Sequence, residues 1–302
     1  MRHLVWIRHD LRLSDHQALT EASEHDVLLL FIYQPQHHGR AQRWWLHQSL
    51  LKLQKRLHNK LLILQGNPDE VIPKLTDQYA INHVFWQRDL TPDGIMQAQS
   101  VKSTLEDRGV KVSTYAGQVL NDPWSVKNQQ GEFFKVFTPF WKASLPKLVE
   151  MPRPLPEPKL SMIDTEGGLS VEELQLLPQN PNWAEPFHDY HSPGEQSAMD
   201  VCAQFCQGAL DGYKDERNRP DILGTSRLSP YIHFGEISVR QIWHAANEQR
   251  GRVPDRDIDH FLSELGWRDF SYYLIYHVPS MITKNFRPAF DDFPWIHDPN
   301  AL

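Results

Sequence analysis

The sequence predicts an α/β fold: an N-terminal doubly wound parallel sheet, a long connection, and a C-terminal all-α unit. Three observations carry that expectation. Short apolar runs alternate with amphipathic stretches through the first third of the chain, the pattern of a parallel sheet with helices on its faces. Regular periodicity then stops from about Gly117 to Ser192. Beyond Ser192 apolar residues recur at helical spacing and strand-like alternation does not return. The expected units are residues 1–125, 126–192 and 193–302.

Taken in order, His3 to Ile7, Asp26 to Tyr33, Leu61 to Leu64, His83 to Trp86 and Lys111 to Tyr115 read as buried strands. Their nearly unbroken apolar character is that of strands covered on both faces. Asp15 to Glu24, Gln42 to Leu57, Pro68 to Tyr79 and Pro92 to Arg108 read as helices by their 3.6 periodicity. Ser14 followed by Gln17 has the form of a capping box for the first helix. The glycine-rich dinucleotide fingerprint is missing after the first strand, where Arg8-His9-Asp10-Leu11-Arg12 stands instead. This sheet therefore does not hold NAD or FAD in the usual manner, although a doubly wound sheet still offers a crevice at its strand carboxyl ends. Arg8, Asp10, Arg12 and Asp15 read first as a salt-bridged network at a domain interface.

In the connection, prolines cluster at Pro152, Pro154, Pro156 and Pro158 and again at Pro178, Pro181, Pro186 and Pro193. Such sequence reads as a linker draped over the surface and not as part of a core. Phe134 to Leu148 is the exception and reads as a docked helix. Helices are expected afterwards over Glu195 to Leu210, Val239 to Gln249 and Ile258 to His277.

Composition bounds the function. Apolar residues make up 40% of the chain and aromatics 11%, which fits a globular protein and excludes a largely disordered one. A net charge of −7 argues against wholesale attraction to nucleic acid but leaves room for a local basic groove. Cys202 and Cys206 share a helix face at a spacing awkward for a disulfide, and two thiols do not make a zinc site, so they read as small buried residues. No signal peptide or membrane-length apolar run is apparent, and a cytoplasmic location is expected.

Two segments carry chemistry. Gly224-Thr225-Ser226-Arg227-Leu228-Ser229-Pro230-Tyr231-Ile232-His233-Phe234-Gly235 concentrates hydroxyls and a guanidinium where a helical region begins. Helix starts expose unpaired N–H groups that receive phosphate, and Arg adds bidentate donors. The plainer reading is an N-cap. In Phe261-Leu262-Ser263-Glu264-Leu265-Gly266-Trp267-Arg268-Asp269-Phe270, the residues Glu264, Trp267 and Arg268 fall at i, i+3 and i+4 of a helix. A carboxylate, a flat aromatic and a guanidinium on one face suit a base edge, a stacked base and a phosphate. The plainer reading is an i, i+4 ion pair beside a core Trp.

Together these motifs resemble the DNA photolyase/cryptochrome family along nearly the whole chain, nearest to its bacterial cyclobutane pyrimidine dimer photolyases. Val5-Trp6-Ile7-Arg8-His9-Asp10-Leu11-Arg12-Leu13 is similar to the family's N-terminal signature, Phe137-Thr138-Pro139-Phe140-Trp141 to its linker motif, and Pro193-Gly194-Glu195 to the start of its helical domain. Tyr213 to Arg217, the Gly224 to Gly235 stretch, Glu236 to Arg240, and Glu264 to Phe270 resemble its flavin domain. The resemblance implies an antenna domain over 1–125, an interdomain linker over 126–192, and a helical FAD- and DNA-binding domain over 193–302, truncated because the family's domain continues beyond Leu302.

It further implies that Tyr213, Thr225, Ser226, Arg227, Leu228 and Ser229 bind FAD, with hydroxyls and amides on the pyrophosphate. Phe261 stands where the family often has a flavin-facing Trp, and Arg268 lies near flavin and the DNA rim. Arg217 would touch DNA phosphate. Glu264 and Trp267 would meet the flipped-out dimer, by hydrogen bond and by stacking. Trp295 aligns with the outermost of three relay tryptophans, although an aromatic packed beside a Pro-rich turn is an equally ordinary reading. The implied activity is that of a deoxyribodipyrimidine photo-lyase, in which excited reduced FAD donates an electron to split the dimer in UV-damaged DNA. The alternatives are a cryptochrome-type photoreceptor and a non-catalytic antenna remnant. An antenna chromophore, folate or deazaflavin, is implied besides FAD. No metal and no membrane partner are implied, and the intact protein is expected to be a monomer.

Overall fold

The computed structural model describes residues 1–294. Five strands form the parallel sheet: β1 (Arg2–Ile7), β2 (Asp26–Tyr33), β3 (Leu61–Gln65), β4 (His83–Gln87) and β5 (Lys111–Tyr115), in the order β3-β2-β1-β4-β5. The helices between them are α1 (Gln17–Ala22), α2 (Arg40–Arg56), α3 (Pro68–Gln78) and α4 (Pro92–Asp107). The order reverses at β1, which pairs β2 on one side and β4 on the other, so the crevice of a doubly wound sheet opens there.

Alternate residues of each strand feed opposite layers. Leu4, Trp6, Leu28, Leu30, Val84 and Trp86 pack against α3 and α4 through Ile72, Leu75, Val101 and Leu105. Val5, Ile7, Leu29 and Phe31 face the other way, into a core that continues through Trp44 and Trp45 of α2 to Cys202, Phe205, Tyr231 and Phe261 of the helical unit. One hydrophobic core thus joins the sheet to the helices. Cys202 and Cys206 are both buried there as free thiols.

The connection contributes more than a surface drape. Helix α5 (Phe137–Leu148) forms as expected, but Val126, Val171, Leu174, Leu176 and Ala184 are also buried. A two-residue strand, β6 (Ser161–Met162), adds to β2 beside Asp26 and Val27. The reason is geometric: β3 begins pairing only at Leu29, which leaves the start of β2 with open hydrogen-bonding groups. The expectation of a segment outside the core is therefore corrected.

The first helix cap is corrected as well. His16, not Ser14, caps α1, its Nδ1 accepting from the Leu19 N–H at 3.2 Å. Ser14 is drawn away by Glu195, the first residue of α6 (Glu195–Gln207), whose carboxylate accepts from Leu13 N and Ser14 N at 2.8 Å each and from Arg56. A capping box does occur, at Ser238 and Gln241 of α9 (Val239–Asn247). The helical unit is completed by α7 (Tyr213–Glu216), α8 (Ser229–His233) and α10 (Asp255–His277). Among the described residues no helix is long and apolar enough to cross a membrane.

The charged run after β1 ties the sheet to the helical unit. Arg12 is buried and donates to Gly235 O at 2.9 Å, Asp15 O at 3.0 Å and Gln87 Oε1 at 3.1 Å. Asp15 accepts from Ser238 Oγ, Arg240 and the Leu155 N–H. Asp10 pairs with the fully buried His16 at 2.9 Å. Of the four residues read from the sequence as an interface network, Arg12 and Asp15 reach the helical unit, whereas Asp10 pairs with His16 and Arg8 with Asp89 beside the sheet. Buried charges of this kind are tolerable because each has several partners.

Candidate functional site

Helix α10 supplies one wall of the site. Its residues Phe261, Glu264, Leu265, Arg268 and Tyr272 recur at intervals of three and four, so they stack as a stripe along one face. Opposite them lie Tyr213 from the start of α7, Ser226 and Leu228 from the preceding loop, and Ser229, Ile232 and His233 from α8. Between these groups is an open cavity of about 360 Å³. Its floor is apolar: Tyr213 meets Phe261 edge-on at 5.4 Å, and Phe205 backs both rings. Burial raises the phenol pKa of both Tyr213 and Tyr272. Hydroxyls of Ser226 and Ser229 and the guanidinium of Arg268 supply the polar contacts, a composition common in cofactor pockets.

Of the residues expected to hold a cofactor, Tyr213, Ser226, Leu228, Ser229, Phe261 and Arg268 line this cavity, while exposed Thr225 and Arg227 do not. Arg227 has φ +54°, a conformation that side chains other than Gly seldom adopt. Helix α8 is only five residues long, so the donors that this segment offers are side-chain hydroxyls and a guanidinium more than a helix terminus.

Arg268 lines the cavity and is held by one partner outside it and one within it. It donates to Gln118 O and lies 4.8 Å over the Tyr272 ring. The neighbouring Asp269 is buried and accepts from the N–H groups of Leu120 and Asn121 at 3.0 Å, which pins the loop after β5 to α10. Burial pushes the Asp269 carboxyl up to about 7, against those two amides.

Arg217 and Glu264 form an ion pair at the rim, each roughly a quarter to a third exposed. The Arg217 Nη1 also meets His260 Nε2 at 3.1 Å. Hydrogen bonding to Glu264 raises the pKa of the Arg217 guanidinium. Glu264 therefore stands as an acceptor from Arg217.

Trp267 departs from the expected common face. Glu264 and Arg268 line the cavity, but Trp267 does not. It stacks on Phe137 of α5 with ring centroids 3.8 Å apart and planes inclined by 11°, and it remains 46% exposed. At i+3 from Glu264 it lies on the side of the stripe away from Arg268, where the linker helix reaches it. Trp295 lies outside the described residues.

A second cavity, of about 520 Å³, opens at the carboxyl ends of β1, β2 and β4. Arg8 lies 4.3 Å over the Trp6 ring, pairs with Asp89 at 3.4 Å, and has a buried Nη1 without a hydrogen-bond partner. Such an orphaned donor in a crevice fits a ligand with an acceptor group. Sequence reasoning missed Ile232, His233, Leu265 and Tyr272. Leu265 and Tyr272 were legible as steps of the α10 stripe; the other two carry no pattern of their own. Among the described residues no cluster of three or more His, Cys, Asp or Glu is placed to hold a metal ion.

The family model for DNA photolyase matches residues 3–159. The deoxyribodipyrimidine photo-lyase of Agrobacterium fabrum is 36% identical over 309 residues, covering 99% of this chain and 64% of that protein. An uncharacterized 31.6 kDa protein of Synechococcus sp. (strain PCC 6716) is 31% identical over 284 residues, covering 89% of this chain and 98% of that one. The crystal structure of a bacterial class III photolyase from Agrobacterium tumefaciens superposes with a TM-score of 0.94 at 34% identity, covering 98% of this chain and 63% of that one. The chain thus spans just under two thirds of the photolyases it matches here.

Proposed function

The chain belongs to the DNA photolyase family, and from that premise we propose that it is a blue-light DNA-repair flavoprotein acting on cyclobutane pyrimidine dimers. One observation carries the reading: Glu264 and Arg268 line the same cavity as Tyr213, Ser226, Leu228, Ser229 and Phe261. Two of the residues expected to face a lesion, Glu264 and Arg268, therefore meet most of those expected to hold a flavin. The cavity suits FAD by its chemistry, with hydroxyls and a guanidinium for phosphate and an aromatic floor for a flat ring.

FAD bound there would supply the light-driven one-electron chemistry; the chain's own residues bind and orient. Ser226 and Ser229 would hold the pyrophosphate, with Thr225 and Arg227 closing over it from the solvent side. Tyr213 and Phe261 would exclude water beneath the ring. Arg217 would pass from Glu264 to a DNA phosphate, because a phosphate competes directly for a guanidinium at an exposed rim. Glu264 would then face the flipped bases, and Trp267 would stack on them. A damaged pair is poorly stacked already, so extruding it costs only a few kcal/mol.

Domain roles follow: residues 1–125 as antenna domain, 126–192 as linker and 193–302 as flavin- and DNA-binding domain. The crevice with the orphaned Arg8 donor would take the antenna chromophore, a folate or a deazaflavin. The buried free thiols fit a reducing cytoplasm. Trp295 would serve as the outermost of three relay tryptophans.

The test is repair of thymine-dimer oligonucleotides by the purified chain with added reduced FAD, under blue light and in the dark. Light-dependent loss of dimers is expected. FAD binding without light-dependent repair would favour a photoreceptor, and no FAD binding would leave only a non-catalytic module.

A further inference from the structure

The last residue of α8, His233, lines both cavities: the crevice at the strand ends and the pocket against α10. Its ring is exposed between them and fixed from one side. Gln42 Nε2 lies 3.1 Å from His233 Nε2, while Gln42 Oε1 accepts from the Gly39 N–H at 2.7 Å. The second bond settles which end of the amide faces the imidazole. The amide NH₂ donates, His233 Nε2 accepts, and the ring proton belongs on Nδ1. Phe234 meets the ring edge-on at 4.8 Å, and the ring of His9 lies 6.2 Å away. His9 and Asp89 themselves line the crevice.

We propose that His233 is a positioning residue shared by the two cavities, through which a planar ligand in the crevice strengthens flavin binding in the pocket. The inference rests on the flavin reading of that pocket. Among the described residues Gln42 gives the exposed ring its one hydrogen bond, so the ring is restrained on that side alone and a ligand on the other would order it further. A flat heteroaromatic against one side orders it, so a flavin arriving on the other side bears less of that ordering cost. The coupling must be reciprocal: flavin tightens the crevice ligand by the same factor. Gln42 touches neither cavity, so its removal should loosen the shared ring while leaving both cavity linings in place.

The experiment titrates the full chain with FAD, read by flavin fluorescence, with and without a saturating deazaflavin. Wild type, Gln42→Ala and His233→Ala are compared, with circular dichroism as the check on folding. Deazaflavin should lower the FAD Kd about fivefold in wild type and by at least as much in Gln42→Ala, where a looser ring leaves more to be ordered, whereas the factor should fall to one in His233→Ala. In Gln42→Ala, FAD alone should bind more weakly than in wild type and saturating deazaflavin should restore most of that loss, a rescue that a merely structural role for Gln42 would not give. If FAD alone fails to bind, the flavin reading falls and this inference with it. If FAD binds equally well with and without deazaflavin, or deazaflavin does not bind at all, only the inference falls.

Discussion

Gly235 lies against the backbone of His9, so closely that a Cβ at Gly235 would stand 2.0 Å from the His9 carbonyl oxygen and 2.6 Å from the Asp10 Cα. Leu11 N donates to Phe234 O at 3.0 Å, and Arg12 donates to Gly235 O. Two of the segments that carry the family resemblance are therefore one joint: the run after β1 is seated on the turn after α8. That turn also carries His233 and leads to Glu236, so the geometry of the cavities depends on the seating.

The first prediction concerns this joint. Gly235 has φ +67° in addition to the close approach, so Gly235→Ala adds both strain and a backbone clash. It should cost at least about 2 kcal/mol. Gly251 also has positive φ, but nothing lies within 4 Å of a Cβ there. Gly251→Ala should cost about 1 kcal/mol, from conformation alone. Urea midpoints decide the matter, and equal losses would show that the clash is relieved cheaply.

A second prediction follows from Glu236, which is fully buried and accepts from Trp45 Nε1 at 3.0 Å, from Ser49 Oγ and from the Gly194 N–H. Burial pushes its carboxyl up to about 7 in spite of those donors. The folded state then binds a proton more readily than the unfolded chain. The associated stability is full below the ordinary carboxyl pKa and is lost as pH rises through about 7, up to roughly 3 kcal/mol. Burial lowers the pKa of His3 and His83, so their contribution runs the other way, lost as pH falls below the ordinary imidazole range. Comparison with Glu236→Gln isolates the carboxyl: the wild type should lose more stability between pH 5 and pH 8 than the variant. Parallel pH profiles would refute the assignment.

The sheet was legible in the sequence because buried parallel strands are continuous apolar runs, and β1 to β5 fall where those runs are. β6 was not, because Ser161 and Met162 carry no pattern; they pair because β2 begins before its neighbour β3 does. The cap of α1 was misplaced because Ser14 answers to Glu195, 181 residues away, and no local rule contains that partner. In the candidate site the α10 stripe was legible by periodicity. The turn of Trp267 toward Phe137 was not, since helical spacing fixes a direction but not which neighbour arrives there.

The Arg217–Glu264 pair yields a third prediction with two opposite signs. If Arg217 contacts a DNA phosphate as proposed, Arg217→Gln should weaken binding of dimer-bearing DNA and lower its salt slope by about one. Glu264→Gln releases Arg217 from its partner. Affinity for undamaged DNA should then rise a few-fold, while light-dependent repair persists at a substantial level. Titrations over a salt series with damaged and undamaged duplexes read both. Weakening by both variants alike would mean that the pair acts as a unit and not as a latch.

The last prediction separates the two faces of Trp267. One face is occupied by Phe137, while 46% exposure leaves the other side of the ring open to solvent. A flipped base placed there would extend an existing stack, with Phe137 holding Trp267 in orientation. Loss of the ring should cost about 1–3 kcal/mol of binding per stacked base, and only about 1 kcal/mol of fold stability from the broken aromatic pair. Trp267→Ala should therefore lower affinity for dimer-bearing DNA about tenfold or more while leaving undamaged duplex binding nearly unchanged. Phe137→Ala should retain part of that selectivity, because the stacking surface survives and only its orientation is lost. Were Phe137→Ala as damaging as Trp267→Ala, the contact between the rings, and not the open face, would be what matters.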